Sequence, residues 1–187
     1  MQRSYRWATQ QGGGCEHLAL SYTDELVIAE GVVIGPASGN LFPGELFGVA
    51  YVVRCDAHWR VREVEVQVAG GASLLLGADG EGRWSGADGE SIPALDGCID
   101  VDLSCTPFTN TLPLRRLGDR LRQRQDIQVA FIELPSLALR PAHQAYTCLA
   151  PGRYRFDSPA DAFTAEIETD AEGLVLRYPG LFTRIPT

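Results

Sequence analysis

Two carboxylates lie two residues apart in the middle of the chain. Asp100 and Asp102 alternate with apolar residues, as expected for a β-strand. Side chains two residues apart on a strand project to the same face, and their Cα atoms are roughly 6.5–7 Å apart. Paired carboxylates can perform acid–base catalysis or coordinate a cation. A solvated strand face, or ion pairs with nearby arginines, would account for the same pattern.

The segment after these carboxylates is rich in polar side chains. Thr106 and Asn110 lead into the adjacent pair Arg115 and Arg116. Hydroxyl, amide and guanidinium groups suit a polar head group such as a sugar or a phosphate. They equally suit a turn, a helix cap and internal ion pairs. Both interpretations stay open at this point.

Established catalytic and cofactor motifs do not occur in the sequence. The glycine triplet at 12–14 lacks the spacing of a nucleotide-binding loop, and there is no lysine to complete one. There is no G-x-S-x-G nucleophile elbow. The three histidines and five cysteines match no zinc signature. We therefore predict a protein that is not an enzyme and that has no metal site and no cofactor.

Composition excludes several classes of partner. The 187 residues have a formal net charge of −8, which disfavours nucleic acid and anionic lipid surfaces. No apolar run reaches the ~20 residues of a membrane span, so no stable membrane insertion is expected. The first residues lack the apolar core of a secretory signal. We expect a cytoplasmic protein whose five cysteines are free thiols.

Alternation of apolar and polar residues dominates the chain and predicts a mainly β protein. The segments at 63–68, 99–104 and 163–168 each place apolar side chains on one face. The apolar run at 49–53 predicts a strand buried on both faces. Strands every 8–12 residues imply very roughly 12–15 in all. No linker or repeat interrupts them, so a single domain over 1–187 is expected.

Turn signals and one helical stripe complete the predicted elements. Gly80, Gly89 and Gly173 each follow an acidic residue between strand segments, which favours tight turns. Leu114, Leu117 and Leu121 form one apolar stripe within 111–125. This spacing predicts a single α-helix, which Gly118 weakens by about 1 kcal/mol relative to alanine.

These motifs together resemble the family described as “Putative glycolipid-binding”, over nearly the whole chain. The most specific stretch is TPFTNTLPLRRL at 106–117. Further matching positions are Trp7, Glu16 and Leu18, the segments 51–56, 59–60, 79–84 and 97–103, and the segments 144–146, 173–175 and 178–182. No single one of these motifs is as specific as the set.

The resemblance implies a fold, an assembly and a kind of ligand. The fold would be a long, many-stranded, largely antiparallel sheet curled as a spiral β-roll around a single α-helix. The assembly would be a homodimer, in which edge strands could be protected by pairing across subunits. The shape would be similar to that of periplasmic lipoprotein carriers, which hold acyl chains in a half-open β cavity. The family brings no established catalytic residues.

We therefore expect a binding protein for an amphipathic ligand such as a glycolipid. An apolar cavity in the curled sheet would take the acyl part, and a polar cluster would take the head group. Asp100 is expected to be a structural partner of an arginine, with Asp102 and Arg116 nearer the ligand. The candidate binding residues are Arg54, Asp56, Trp59, Asp100, Asp102, Thr106, Asn110, Arg115, Arg116, Gln144 and Tyr146. The alternatives are an acid–base enzyme using Asp100 or Asp102, and a structural homodimer without a small ligand.

Overall fold

The protein folds into strands that follow one another along the chain with a single α-helix between the eighth and the ninth. The computed structural model describes residues 2–35 and 46–186. The strands are β1 (Gln2–Thr9), β2 (Cys15–Tyr22), β3 (Leu26–Gly35), β4 (Phe47–Asp56), β5 (Val61–Val68), β6 (Ser73–Ala78), β7 (Trp84–Gly86), β8 (Asp100–Leu103), β9 (Gln125–Glu133), β10 (Ala138–Ala150), β11 (Arg153–Ser158), β12 (Phe163–Thr169), β13 (Val175–Tyr178) and β14 (Phe182–Arg184). The helix is α1 (Thr111–Leu117). These elements confirm the predicted mainly β fold.

All fourteen strands belong to one sheet. Its order is β7-β6-β5-β4-β3-β2-β1-β14-β13-β12-β11-β10-β9-β8. Strands β1 and β14 pair in the middle, so the two ends of the chain meet there. Only the pairing of β8 with β9 is parallel among the described strands, because the helical segment carries the chain back between them. The sheet is largely antiparallel, as the sequence predicted.

The sheet is curled, because its two distant edges come into contact. The Trp84 indole in β7 donates a hydrogen bond to the carbonyl of Cys98, 2.6 Å away and two residues before β8. Residues of β5 also contact β8, although ten strands lie between them in the sheet order. Within the described residues the edge strands β7 and β8 do not pair as strands, so the sheet is a roll that does not close.

Helix α1 lies inside this roll. Its apolar residues Leu112, Leu114 and Leu117 are all buried. The α-helix is shorter than the predicted stripe because Gly118, at φ +51°, ends it. The chain continues as a 3₁₀ turn at Gly118–Arg122, which still buries Leu121. The single helix within 111–125 is confirmed.

Strand alternation is confirmed, with one correction. In β4 the side chains of Val49, Tyr51 and Val53 are buried, whereas Ala50 is exposed and Val52 half-buried. The prediction that this strand is buried on both faces was wrong. An apolar sequence does not by itself require a second covering layer, and here the outer face of the sheet carries apolar residues.

Other predicted features can be checked directly. The glycines at 80, 89 and 173 all have positive φ in turns, as predicted. All five cysteines lie in the described ranges and are unbridged. No helix in these ranges is long and apolar enough to cross a membrane.

Candidate ligand-binding site

A cavity of about 430 Å³ opens between β8 and the strands β9–β14. This volume lies within the roughly 300–1,000 Å³ usual for small-molecule sites. One wall is apolar and mostly aromatic, formed by Phe131, Phe156, Phe163, Tyr178, Leu181 and Phe182. The polar lining residues Asp102, Thr106, Asn110 and Gln144 form what we call the polar end. The cavity therefore has amphipathic walls.

The aromatic wall comes from alternate residues of neighbouring strands. The Phe156 ring packs against Tyr146, Phe163 and Tyr178, with ring centroids 5.1, 6.1 and 6.1 Å apart. Tyr178 in turn packs against Phe182 at 6.5 Å. Tilted and edge-on contacts of this kind stabilise aromatic clusters beyond their area burial. The wall is thus a rigid surface rather than a set of loose side chains.

Asp102 is held at the polar end by two hydrogen bonds. The Thr109 hydroxyl donates to Oδ1 at 2.9 Å, and the Gln144 amide donates to Oδ2 at 2.6 Å. Burial raises the pKa of Asp102, while these two hydrogen bonds and the charge of Arg140 act in the opposite direction. Asp102 thus presents a fixed hydrogen-bonding carboxyl group to the cavity.

Tyr146 fixes the amides beside Asp102. Its hydroxyl lies 3.0 Å from Oδ1 of Asn110 and 3.3 Å from Oε1 of Gln144. The Asn110 amide nitrogen donates to the carbonyl of Pro107 at 3.3 Å. A hydroxyl has one proton to donate, so only one of the two amide oxygens can receive it at a time. The amide orientations are set by their nitrogens, which donate to Pro107 and Asp102. The structure brings the candidates Asn110, Gln144 and Tyr146 together beside Asp102, although Tyr146 does not line the cavity.

Thr106 connects the cavity to a buried acid. Its hydroxyl donates to Oε1 of Glu16 at 2.8 Å, and the Tyr51 hydroxyl donates to the same oxygen. The Tyr51 ring lies against Gly31, where any Cβ would overlap it. The second oxygen of Glu16, Oε2, is buried without a hydrogen-bond partner. Burial raises the pKa of Glu16 to about 7, although the hydrogen bonds from Tyr51 and Thr106 oppose the rise.

Asp100 and Arg116 form a buried ion pair outside the cavity. The Arg116 guanidinium contacts both carboxylate oxygens, with Nε–Oδ1 at 2.9 Å and Nη2–Oδ2 at 2.5 Å. Asp100 is fully buried, and the Arg116 side chain is 12% exposed. Asp100 is therefore the structural partner of an arginine, as expected. Arg116 does not line the cavity, so the expectation that it lies nearer the ligand does not hold for this site.

The remaining candidates lie elsewhere in the fold. Arg54 pairs with Glu63 on the outer face of the sheet. Asp56 accepts hydrogen bonds from two backbone amides of the β4–β5 turn and from Arg62. The Arg115 guanidinium lies 5.1 Å from the centre of the buried Trp59 ring. None of these four candidates lines the cavity.

Sequence reasoning missed several residues that do line it. Asp161 lies in a short 3₁₀ turn and accepts a hydrogen bond from Ser158 at 2.6 Å. Arg140, whose guanidinium lies 4.5 Å from the centre of the lining Phe131 ring, does not itself line the cavity. The aromatic wall had no local signal, because inward-facing phenylalanines on a strand are equally typical of a closed core.

The fold and this cavity define a class of protein: a curled, mostly antiparallel β-sheet around one helix, with a cavity lined by both apolar and polar residues. The chain belongs to the family described as “Putative glycolipid-binding”, whose model matches residues 4–184. It is also similar to a DUF1089 family protein from Pseudomonas aeruginosa of known crystal structure, with 40% sequence identity and a TM-score of 0.80 over 93% of each chain. A search of curated proteins finds no match. The family resemblance of the sequence is thereby confirmed.

Proposed function

We propose that this protein binds an amphipathic small molecule with a hydroxyl-rich head group, of the glycolipid kind, in the cavity between β8 and β9–β14. The observation that carries the proposal is the joining of an aromatic wall to the fixed polar groups of Asp102, Asn110 and Gln144 in one cavity. Pockets that are mainly apolar with a few placed polar groups are typical ligand sites. The family description supports the same class of ligand.

The polar groups match the chemistry of a sugar. A sugar hydroxyl both donates and accepts hydrogen bonds, a carboxylate accepts, and an amide does both. The apolar faces of a sugar ring, or the first carbons of an alkyl chain, can pack on the aromatic wall. We also propose that the protein is located in the cytoplasm. Cys55, Cys98 and Cys105 are free thiols buried in the core, and free cysteines are typical of proteins in a reducing compartment.

Asp102→Asn should weaken the binding of octyl β-glucoside at least tenfold, with little change in stability. A hydrogen bond to a charged group contributes about 1.5–3 kcal/mol, equivalent to roughly a 10–100-fold change in affinity. The fold should tolerate the change because asparagine has the same shape and removes a charge that burial disfavours. Isothermal titration calorimetry and thermal melting measure the two quantities.

Asp119→Asn is the matched control, because Asp119 is a highly exposed carboxylate paired only with Arg122. It should bind the glucoside like the wild type. Equal affinities for all three proteins would contradict the proposed site.

An acid–base enzyme is the second candidate, and one observation favours it. Asp102 and Asp161 both line the cavity, so a substrate there would contact two carboxyl groups. Asp100, the partner first considered for Asp102, is engaged with Arg116 instead. Incubation with 4-nitrophenyl β-glucoside separates the classes: turnover that disappears in Asp102→Asn would indicate the enzyme, and binding without turnover supports the binding protein.

We also propose that the protein forms a symmetric homodimer through the outer face of β2–β4. On this face Val32 and Ile34 are 53% and 58% exposed. Ala50 lies opposite Val32, and the exposed Cys15 lies opposite Ile34, while the exposed His17 of β2 lies on the other side of Val32. A twofold interface brings the same patch together from both copies, which buries apolar surface against apolar surface. The edge strands β7 and β8 are only three and four residues long, so pairing across them contributes less to this argument.

Ile34→Asp should convert the dimer into a monomer, because two carboxylates would be brought together in an apolar contact. Sedimentation velocity at micromolar concentration measures the change. Leu149→Asp, which changes an exposed leucine on β10, should leave the dimer intact. A wild-type protein that sediments as a monomer would overturn this proposal.

A further inference from the structure

One aromatic ring of the cavity stands apart from the others. Phe156, Phe163, Tyr178 and Phe182 pack against one another. Phe131 lines the same cavity and is half-buried, but it packs against no other aromatic ring of the described chain. The face of this ring is therefore not taken up by the aromatic cluster.

Phe131 lies between a carboxylate and a guanidinium. It is paired with Asp102 of β8 in the parallel direction and with Arg140 of β10 in the antiparallel direction. Directly paired residues project to the same face of a sheet, and neighbouring strands are about 4.8 Å apart. Asp102, Phe131 and Arg140 thus form a row across three strands, which we call the cross-strand row.

Both polar members of the cross-strand row can form further hydrogen bonds. Each carboxylate oxygen of Asp102 accepts one hydrogen bond from the protein, and a carboxylate has about four lone-pair sites in all. Asp102 is half-buried, so ligand can reach it. Arg140 is exposed and forms no ion pair with a described residue. Its guanidinium lies over Phe131, in a cation–π contact that is weak at an exposed position.

This arrangement matches the two kinds of surface on a pyranose ring. The C–H groups on a face of the sugar can pack against an aromatic ring, and the hydroxyls project around its edge. Hydroxyls there can donate to a carboxylate on one side and accept from a guanidinium on the other. An open-chain polyol has the same hydroxyls but no such apolar face. An alkyl chain would cover the aromatic ring without pairing with Asp102 or Arg140.

We infer that Phe131 is the platform on which the sugar ring of the ligand packs. The sugar takes the place of the Arg140 guanidinium over Phe131, Asp102 accepts a hydrogen bond from a hydroxyl at one edge, and Arg140 donates to a hydroxyl at the other. This inference rests on the proposed function and deepens it. The head group is then a pyranose, and Phe131 and Arg140 are two further residues that determine specificity.

Two soluble amphiphiles with the same chain length test the inference. Octyl β-glucoside has a pyranose ring, whereas octanoyl-N-methylglucamide has an open-chain polyol. Below their micelle concentrations, calorimetry should find about tenfold or more tighter binding of the glucoside to the wild type. Phe131→Leu should remove most of this preference by weakening the glucoside, while the affinity for the glucamide stays within about twofold.

Phe163→Leu is the matched control, because it changes another half-buried phenylalanine of the same cavity. It should weaken both amphiphiles alike and so keep the preference for the pyranose. Such a result would show that the preference depends on Phe131 and not on aromatic area in general.

Two further variants give measurements that do not depend on Phe131→Leu folding. Phe131→Trp should bind the glucoside at least as tightly as the wild type, and its added tryptophan fluorescence should shift with the glucoside more than with the glucamide. Arg140→Gln should weaken the glucoside about threefold or more through the loss of a hydrogen bond. Arg120→Gln, an exposed arginine on the 3₁₀ turn after α1, should leave both affinities unchanged.

The outcomes separate the inference from the proposed function. Equal binding of the glucoside and the glucamide by the wild type, or an unchanged preference in Phe131→Leu, would overturn the platform and leave a binding protein in place. Absence of binding for both amphiphiles would overturn the inference together with the proposed function.

Discussion

Replacing Asp100 with asparagine should lower the free energy of unfolding by about 3–5 kcal/mol, the usual cost of removing one partner from a buried ion pair. The Asp100 carboxylate is fully buried and accepts two hydrogen bonds from Arg116. Burial raises the pKa of Asp100, while the hydrogen bonds and the charge of Arg116 act against the rise. In Asp100→Asn the guanidinium would stay charged in a nearly dry site and lose its counter-ion. Urea denaturation followed by far-UV circular dichroism measures the loss.

We expect the size of this loss in stability to depend on the burial of the ion pair. An exposed Asp–Arg pair elsewhere in the fold provides the comparison. Asp126 pairs with Arg124, but its side chain is 73% exposed. Asp126→Asn should therefore cost less than about 1 kcal/mol, as exposed ion pairs usually do. The double variant Asp100→Leu, Arg116→Leu should recover much of the stability lost in Asp100→Asn, because it leaves no unpaired charge. A cost below about 1 kcal/mol for Asp100→Asn would mean that water reaches Arg116.

Local patterns were sufficient to predict the strands and the helix. Period-two alternation identified segments such as Phe163–Thr169, because a sheet with one buried face imposes that period on its own sequence. The end of the helix was not predicted: Gly118 was expected only to weaken it, whereas it adopts a positive φ that other residues avoid and ends the helix. The apolar run in β4 led to a wrong prediction of burial, because alternate residues of this strand lie on the outer face of the sheet, which is not covered by other described residues.

The site could be predicted only in part, because its partners come from distant elements. Spacing places Asp100 and Asp102 on one face of β8, but only Asp102 lines the cavity. Their partners differ, since Arg116 comes from α1 and Gln144 comes from β10. Strand β10 is close to β8 because both pair with β9, β10 in the antiparallel and β8 in the parallel direction. No local sequence pattern indicates these pairings.

The arginines illustrate the same limit. Arg54 and Glu63 are direct neighbours across the β4–β5 pair, so a hairpin alignment of the sequence could have predicted their ion pair. Arg115 contacts Trp59, which adopts a φ of +63° in the turn between β4 and β5. This turn contains no glycine, so the sequence gives no sign of the positive φ. The adjacent Arg115 and Arg116 therefore suggested a site for a phosphate or sugar head group, but in the fold they contact Trp59 and Asp100 instead.

Between pH 5 and pH 8 the protein should lose about 3 kcal/mol of stability through Glu16 alone. The pKa of this carboxyl rises from 4.5 in the unfolded chain to about 7 in the fold, chiefly because the group is buried. Between these two values the folded state holds a proton that the unfolded state releases, so stability falls as pH rises. Below about pH 4.5 both states are protonated, and above about pH 7 the full cost is present. A shift of about 2.5 units corresponds to roughly 3 kcal/mol.

Glu16→Gln should remove this dependence, because glutamine does not titrate and its Oε1 can still accept the hydrogen bonds of Tyr51 and Thr106. The variant should match the wild type near pH 4.5 and exceed it by about 3 kcal/mol at pH 8. Taking the difference between the two urea titrations at each pH cancels the titration of all other groups. Glu65→Gln, on the exposed face of β5, is the control and should give a small difference throughout. Parallel profiles for Glu16→Gln and the wild type would contradict the argument and would mean that water reaches the unpartnered Oε2 of Glu16.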